Sequence, residues 1–431
     1  MNAALRVGYE LAAQIARVTA VLAAELAPQT EVKAVRALWA RRGIQDRYRA
    51  WSAQHRDSRR PLLWMHAPSV GEGLQARPVL ELMRQRRPDV QLAYTHFSPS
   101  AESLARALDV DFRDYLPFDS QSDGRAALDA LRPRALVFAK LDVWPTLSDL
   151  AHSRGVRLGL ISATLAETSS RRSRWAAAML RDAYGLLDAV GAVDDADADR
   201  LIALGVRRAA IRVTGDTRYD QVWERARRTT LDSPLLGRLR SDRLTVVAGS
   251  TWPADEAVLF PAFDLARRRH RSVRLIIAPH ETTPAHLAAV DTWAHTGQHA
   301  LARLDEATPE DDVVLVDRVG VLGELYALAD VAFVGGGFHA AGLHSVLEPA
   351  AFGAPVLFGP RFHASRDARL LAQRGGGTAV ASLESLTNAL IAWLGDSAQR
   401  RAAGDSARQL VRDGLGAAER SLQLVESLLA A

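Results

Sequence analysis

From Pro61 onward the chain alternates short apolar runs with longer stretches of helical period. The runs PLLWMHA, VQLAYTHF, ALVFAK, VRLGLISA and AVGAV each flank a segment whose apolar positions recur every three to four residues. Such alternation predicts βα units, hence a parallel sheet covered by helices on both faces. The texture changes at WERARRTTLDSPLLGRLRSDR, which is charged and contains Pro234 and Gly237, and a second series then begins with LTVVAGS, VRLIIAP, VVLVD, VAFVGG and APVLFG. The pattern therefore predicts an α/β chain of two βα domains, 51–228 and 241–431, with a ligand cleft between them where strand carboxyl ends open. Ahead of them, residues 3–26 place Leu5, Tyr9, Ala12, Ile15, Val18 and Leu22 near one face, broken by Arg6, Glu10, Arg17 and Glu25. That is an amphipathic helix and not a membrane span.

Composition narrows the class. A length of 431 residues exceeds one ordinary core. The absence of Cys excludes disulfides, thiolate metal sites and a Cys nucleophile. No secretory pattern opens the chain, so a cytoplasmic setting is expected. The pI near 9.6 suits nucleic acid, anionic lipid or a phosphorylated substrate. No zinc-finger spacing, RRM-type aromatic motif or basic zipper is present, so no nucleic-acid partner is expected. Basic residues collect early, in KAVRALWARRGIQDRYRAW, where Leu38, Trp39, Tyr48 and Trp51 interleave with Arg. The segment 1–50 fits a membrane-surface role, with guanidinium on headgroup phosphate and indole at the apolar boundary. A solvated helix face with a few core aromatics is the alternative.

Candidate chemistry sits at predicted strand ends. HAPSVGEG, 66–73, lacks the lysine of a P-loop and the third glycine of a dinucleotide fingerprint. It leaves one carboxylate, Glu72, between Gly71 and Gly73. Glu72 is either a presented catalytic group or an acid that favours the positive end of the next helix. VFAKLDVWP carries Lys140, one of two lysines in a chain that otherwise uses Arg. Its ammonium is either a placed point charge or a partner for Asp142. VTGDTRYD puts Asp216 beside Arg218, whose fork suits a carboxylate or phosphate unless Asp216 takes it. In the second half, VVAGSTWPADE has the strand, small-residue loop and helix order that presents amides to an anion. IIAPHETTP ends in Pro279, His280 and Glu281, and the stretch from Gly335 carries His339, His344, Ser345, Val346, Leu347 and Glu348. The spacing of Ser345 and Glu348 also fits a capping box, while Glu348 suits ribose hydroxyls. The histidines lack metal-ligand spacing, so no metal and no cofactor is expected.

Taken in order, SVGEG, YLPFD, VWP, GDTRYD, GSTWPADE, APHE and FVGGGFHAAGLHSVLEPAAFGAPVLFGP resemble the blocks of 3-deoxy-D-manno-octulosonic acid (Kdo) transferases. The resemblance implies the GT-B architecture of two Rossmann-like domains. It also implies inverting, metal-independent transfer of Kdo from CMP-Kdo to a lipid A precursor, in lipopolysaccharide inner-core synthesis at the cytoplasmic face of the inner membrane. Partners would be CMP-Kdo, the lipid A precursor and the anionic membrane surface. By position, Glu72 matches the general base and Arg218 a lysine that stabilises the transition state. Pro279, His280, the stretch Val319, Gly320 and Val321, and Ser345 to Glu348 match the blocks that hold CMP. Lys140 is also assigned to the catalytic set, although many members have an acid at that position. Val321 replaces a Glu, Ser345 an Asn, and the usual Arg before the His of PHE is missing. Another GT-B transferase using a UDP-sugar or a different acceptor, or an inactive lipid-binding homologue, are the alternatives.

Overall fold

A computed structural model of the chain describes residues 8–9, 14–15, 18–19, 33–167 and 169–430. The helix expected over 3–26 lies for the most part outside the described residues. Contacts divide the chain into two units, one of Met1–Gln221 with Gly416–Ala431 and one of Val222–Leu415.

The first unit is built on β1 (Leu62–His66), β2 (Gln91–His96), β3 (Phe112–Tyr115), β4 (Ala135–Ala139), β5 (Arg157–Ala163), β6 (Ala189–Ala192) and β7 (Ile211–Val213). Their order is β3-β2-β1-β4-β5-β6-β7, and every pair is parallel. Every residue of β1, β2 and β4 is buried. A strand covered on both faces is predominantly apolar, which is why these runs show no strict alternation.

The second unit repeats the plan with β8 (Thr245–Thr251), β9 (Arg274–Pro279), β10 (Leu301–Arg303), β11 (Val313–Leu315), β12 (Val331–Val334), β13 (Val356–Phe358) and β14 (Gly377–Ala379). The order is β10-β11-β9-β8-β12-β13-β14, again all parallel. Both units are thus Rossmann-like α/β sheets. In each, the order reverses beside the first strand, at β1/β4 and at β8/β12.

The division differs from the expected one in three places. The charged stretch read as a boundary is folded: Pro234–Leu239 is a helix capped by Ser233, with Leu236 and Leu239 fully buried in the second unit. The last helix, Ala417–Ala430, returns to the first unit, where Leu428 meets the face of β5 that Gly159 leaves open. Asp220 fixes that return by accepting from Gly416 N at 2.7 Å and Ala418 N at 2.9 Å. An amphipathic helix carries no mark of which sheet it will cover.

Third, residues 44–50 are no separate surface segment. The helix Ile44–His55 buries Ile44 and Tyr48 and lies along β3. Tyr48 donates to Tyr115 O, Trp51 donates to Asp111 O, each at 2.9 Å, and Arg47 forks onto Asp114 at 2.7 and 2.8 Å. Arg41 is buried with its guanidinium 4.0 Å above the Phe97 ring. Arg47, Tyr48 and Trp51, three of the residues expected to meet lipid, therefore cover a sheet edge, a position that otherwise invites pairing with another chain. Trp39, at 45% exposure, stays at the surface. Among the described residues, no helix is long and apolar enough to cross a membrane.

Candidate active site

Where strand order reverses, the loops after the two central strands diverge and leave a crevice at the carboxyl end of the sheet. Glu72 comes from the β1 side of such a point, in the first turn of the helix Val70–Arg86, and Lys140 follows β4 directly. The two meet: Lys140 Nζ lies 3.0 Å from Glu72 Oε1, and Ser69 Oγ donates to Glu72 Oε2. Lys140 holds a left-handed backbone, φ +65°, with its amide bonded to Ile161 O at 2.9 Å. Burial pushes the Glu72 carboxyl up, but the Lys140 charge, the Ser69 hydroxyl and the helix-start amide outweigh it and hold it below its ordinary value. The group is an ionised acceptor at neutral pH. Lys140 therefore pairs with Glu72 and not with Asp142.

Asp142 belongs to a neighbouring set. His66 Nε2 is 3.3 Å from Asp142 Oδ2, Trp144 Nε1 donates to the same oxygen at 3.0 Å, and Arg171 stands 3.6 Å from Oδ1. Burial raises the Asp142 carboxyl, and His66, Trp144 and Arg171 together bring it below its usual range. The Trp144 ring stacks on Phe97 at 5.6 Å and forms a flat wall. The role of His66 was missed in the sequence, where it read only as the end of an apolar run.

The two glycines beside Glu72 differ. A Cβ on Gly73 would run into Leu104 and come 2.7 Å from the Tyr94 hydroxyl, so that glycine serves packing. At Gly71 a Cβ would meet only Ser69 Oγ at 3.9 Å, so the room around Glu72 lies on that side.

Arg218 begins the helix Arg218–Arg228 and forks onto Asp216 Oδ2 through Nε at 2.9 Å and Nη2 at 2.7 Å. The local ion pair is real. Asp216, buried, also accepts from Gln75 Nε2 at 3.1 Å, and Thr217 Oγ1 donates to Gln75 O at 2.6 Å. The turn that carries Arg218 is thereby fixed to the helix that carries Glu72.

The second unit's reversal point joins the end of β8 to the glycines after β12. Asp255, fully buried, accepts from Trp252 N at 2.9 Å, Gly336 N at 2.7 Å and Phe338 N at 3.0 Å. One carboxylate thus shapes both loops. Gly336 has φ +89°, and a side chain there would strike Gly342 O. The Trp252 ring is stacked between His280, at 4.5 Å, and His339, at 4.1 Å, and its Nε1 donates to His344 Nε2 at 3.2 Å. Burial, with His280 and His339 nearby, pushes the His344 imidazole down to about 4, so it accepts that bond as the neutral ring. Pro279 ends β9, and His280 N donates to Thr251 O at 2.9 Å.

Ser345 does not cap the helix Leu347–Phe352, which starts from Val346 without any side-chain cap. The capping-box reading fails because the helix begins one residue later than the spacing implied. Val346 and Leu347 are core residues. Glu348 is held by Arg225 Nη1 at 3.0 Å; burial raises its carboxyl and Arg225 offsets part of that. Arg225 also occupies the space over Gly323, just past Val321. Val319 is 79% exposed and Gly320 takes φ +96°. Among the described residues, no three His, Asp or Glu side chains gather as metal ligands would.

Two Rossmann-like units, each with polar groups at the reversal point of its sheet, make a two-domain α/β protein. Solved structures share that fold. A putative UDP-N-acetylglucosamine 2-epimerase from Listeria monocytogenes matches with TM-score 0.63 at 15% identity, over 85% of this chain and 96% of that one. The UDP-GlcNAc 2-epimerase from Neisseria meningitidis also gives 0.63, at 14% identity, over 86% and 99%. At such identities the likeness is one of fold alone. Sequence relatives are more specific. Residues 39–221 match the family model of 3-deoxy-D-manno-octulosonic-acid transferase. The chain is 29% identical to the 3-deoxy-D-manno-octulosonic acid transferase of Bordetella pertussis and 25% identical to that of Haemophilus influenzae. Each alignment covers 85% of this chain and 87% of the relative. The family model over 39–221 and these relatives over most of the chain support a Kdo transferase family, and with it a glycosyltransferase.

Proposed function

We propose that the protein transfers Kdo from CMP-Kdo to a lipid A precursor in lipopolysaccharide synthesis, with Glu72 as general base. The observation that carries this reading is an ionised, mostly buried carboxylate at the β1/β4 reversal point, held by Lys140 and Ser69. In an inverting displacement the acceptor hydroxyl oxygen bonds to the anomeric carbon of Kdo. The bond from that carbon to the phosphate oxygen breaks, CMP leaves with the electron pair, and Glu72 takes the hydroxyl proton. Arg218, half-buried and oriented by Asp216, would supply positive charge for the Kdo carboxylate or the departing phosphate.

The second unit would hold CMP. His280 on the Trp252 stack, Pro279, Ser345 and the turn Val319 to Val321 line its candidate surface, and Glu348 beside Arg225 would take the ribose hydroxyls. Val346 and Leu347 would act by packing, since both are buried. A thermal-shift comparison tests the donor, because a ligand that binds only the folded chain raises its melting point. CMP is expected to protect more than UDP; stronger protection by UDP would overturn the assignment.

The protein would work at the cytoplasmic face of the inner membrane, on its anionic surface. Exposed Trp39, with exposed Arg36 and Arg42 around it, supports this. Replacing all three (Trp39→Ala, Arg36→Glu, Arg42→Glu) should lower binding to anionic vesicles; unchanged binding would sink the claim.

A further inference from the structure

Each oxygen of Glu72 already has a donor: Lys140 Nζ on Oε1 at 3.0 Å, and the Ser69 hydroxyl on Oε2. A base that must accept a substrate proton gains by losing one of them. The two donors are not equally able to leave. Ser69 lies three residues earlier on the same helix start. Lys140 reaches across from the end of β4 on a long stem, with 45% of its side chain exposed against 15% for Glu72.

We propose that Lys140 is a latch on Glu72: it gives up the carboxylate for an anionic group of the substrate, a carboxylate or a phosphate, and so frees Glu72 to take the acceptor proton. The inference rests on the reading of Glu72 as base. Lys140 is on this account a positioning residue, and the exchange replaces one N–H···O bond by another with no covalent change. An ammonium suits the task, since its charge is compact and its three donors turn freely. Three groups face the carboxylate from the elements around it: Lys140 after β4, Ser69 before the helix, and Tyr94 on β2, whose hydroxyl burial pushes well above its ordinary value. Nearby Asp142 does not compete for the ammonium, being engaged by His66, Trp144 and Arg171. Once Lys140 turns away, the largest remaining influence on Glu72 is burial, which makes it the stronger base.

The experiment is a titration of the full chain carrying 13C-labelled glutamate, with the Glu72 carboxyl signal assigned by its loss in Glu72→Gln. Lys140→Gln should titrate at higher pH than wild type. Saturating CMP or free Kdo should raise the wild-type midpoint toward that of the variant and leave the variant unmoved; the CMP arm reports a phosphate, the Kdo arm a carboxylate. In kinetics, the acid limb of kcat/KM should lie below that of kcat in wild type, and the two should coincide in Lys140→Gln. A Lys140→Gln midpoint equal to wild type, or a wild-type midpoint unmoved by both probes, would overturn the latch. Failure of the base reading shows elsewhere, as wild-type transfer by Glu72→Gln.

Discussion

Gln75 Nε2 donates to Asp216 Oδ1 at 3.1 Å, and that bond ties the helix of Glu72 to the turn of Arg218. The two candidate groups are far apart in sequence, yet a buried amide and a buried carboxylate hold them in one frame. Asp216 is the centre of it, since Arg218 takes its other oxygen.

Loss of that centre should be measurable as stability. Asp216→Ala is expected to cost about 2 kcal/mol in urea unfolding, from charged hydrogen bonds lost in a buried site. Burial raises the Asp216 carboxyl, but Arg218 and Gln75 bring it below the usual range. Its contribution is therefore complete above the unfolded carboxylate value and is lost as pH falls through the lower folded value. The stability gap between wild type and Asp216→Asn should narrow on acidification; a constant gap would contradict the pairing.

The glycines flanking Glu72 should separate in thermal melts. Gly73→Ala forces a methyl against Leu104 and the Tyr94 hydroxyl and is expected to destabilise by about 1–3 kcal/mol. Gly71→Ala meets open space in a helix and should stay within about 0.5 kcal/mol of wild type. Equal effects at both positions would refute this packing account.

Asp255 should matter to the second unit as Asp216 does to the first. Asp255→Ala leaves the amides of Trp252, Gly336 and Phe338 without their acceptor, and a loss of about 3 kcal/mol or more is expected in denaturant unfolding. The thermal shift given by CMP should fall with it, because both loops of the proposed nucleotide surface lean on this carboxylate. A stable variant that keeps full CMP protection would remove Asp255 from the site.

What the sequence revealed and what it hid have physical causes. The ten apolar runs read as strands are the inner strands of the two sheets. The four that went unread, β3, β7, β10 and β14, are the sheet edges, and they are short and partly exposed. An edge strand has one neighbour and need not be apolar on both faces, so FRDY, IRV, LAR and GTA carry no strand signature. Glu72 was legible because a lone acid between glycines at a strand end is unusual. Its bond to Lys140 was not, since pairing across two strands depends on sheet order. Asp255 stood in the GSTWPADE block, but a helix-start acid reads as capping, and nothing local says that its acceptors reach the loop after β12. Tyr48 and Trp51 misled in the opposite direction: aromatics between arginines look alike whether they meet lipid or cover an edge.

The central claim is that Glu72 is the base of a Kdo transfer. The direct measurement is incubation of the full chain and its Glu72→Gln variant with CMP-Kdo and lipid A precursor, with products resolved by mass. A positioned general base contributes about 10²–10⁴-fold. Wild type should therefore yield the Kdo-bearing lipid and CMP, and the folded variant should be slower by that factor. Transfer by Glu72→Gln at the wild-type rate, or no Kdo-bearing product from wild type, would contradict the account.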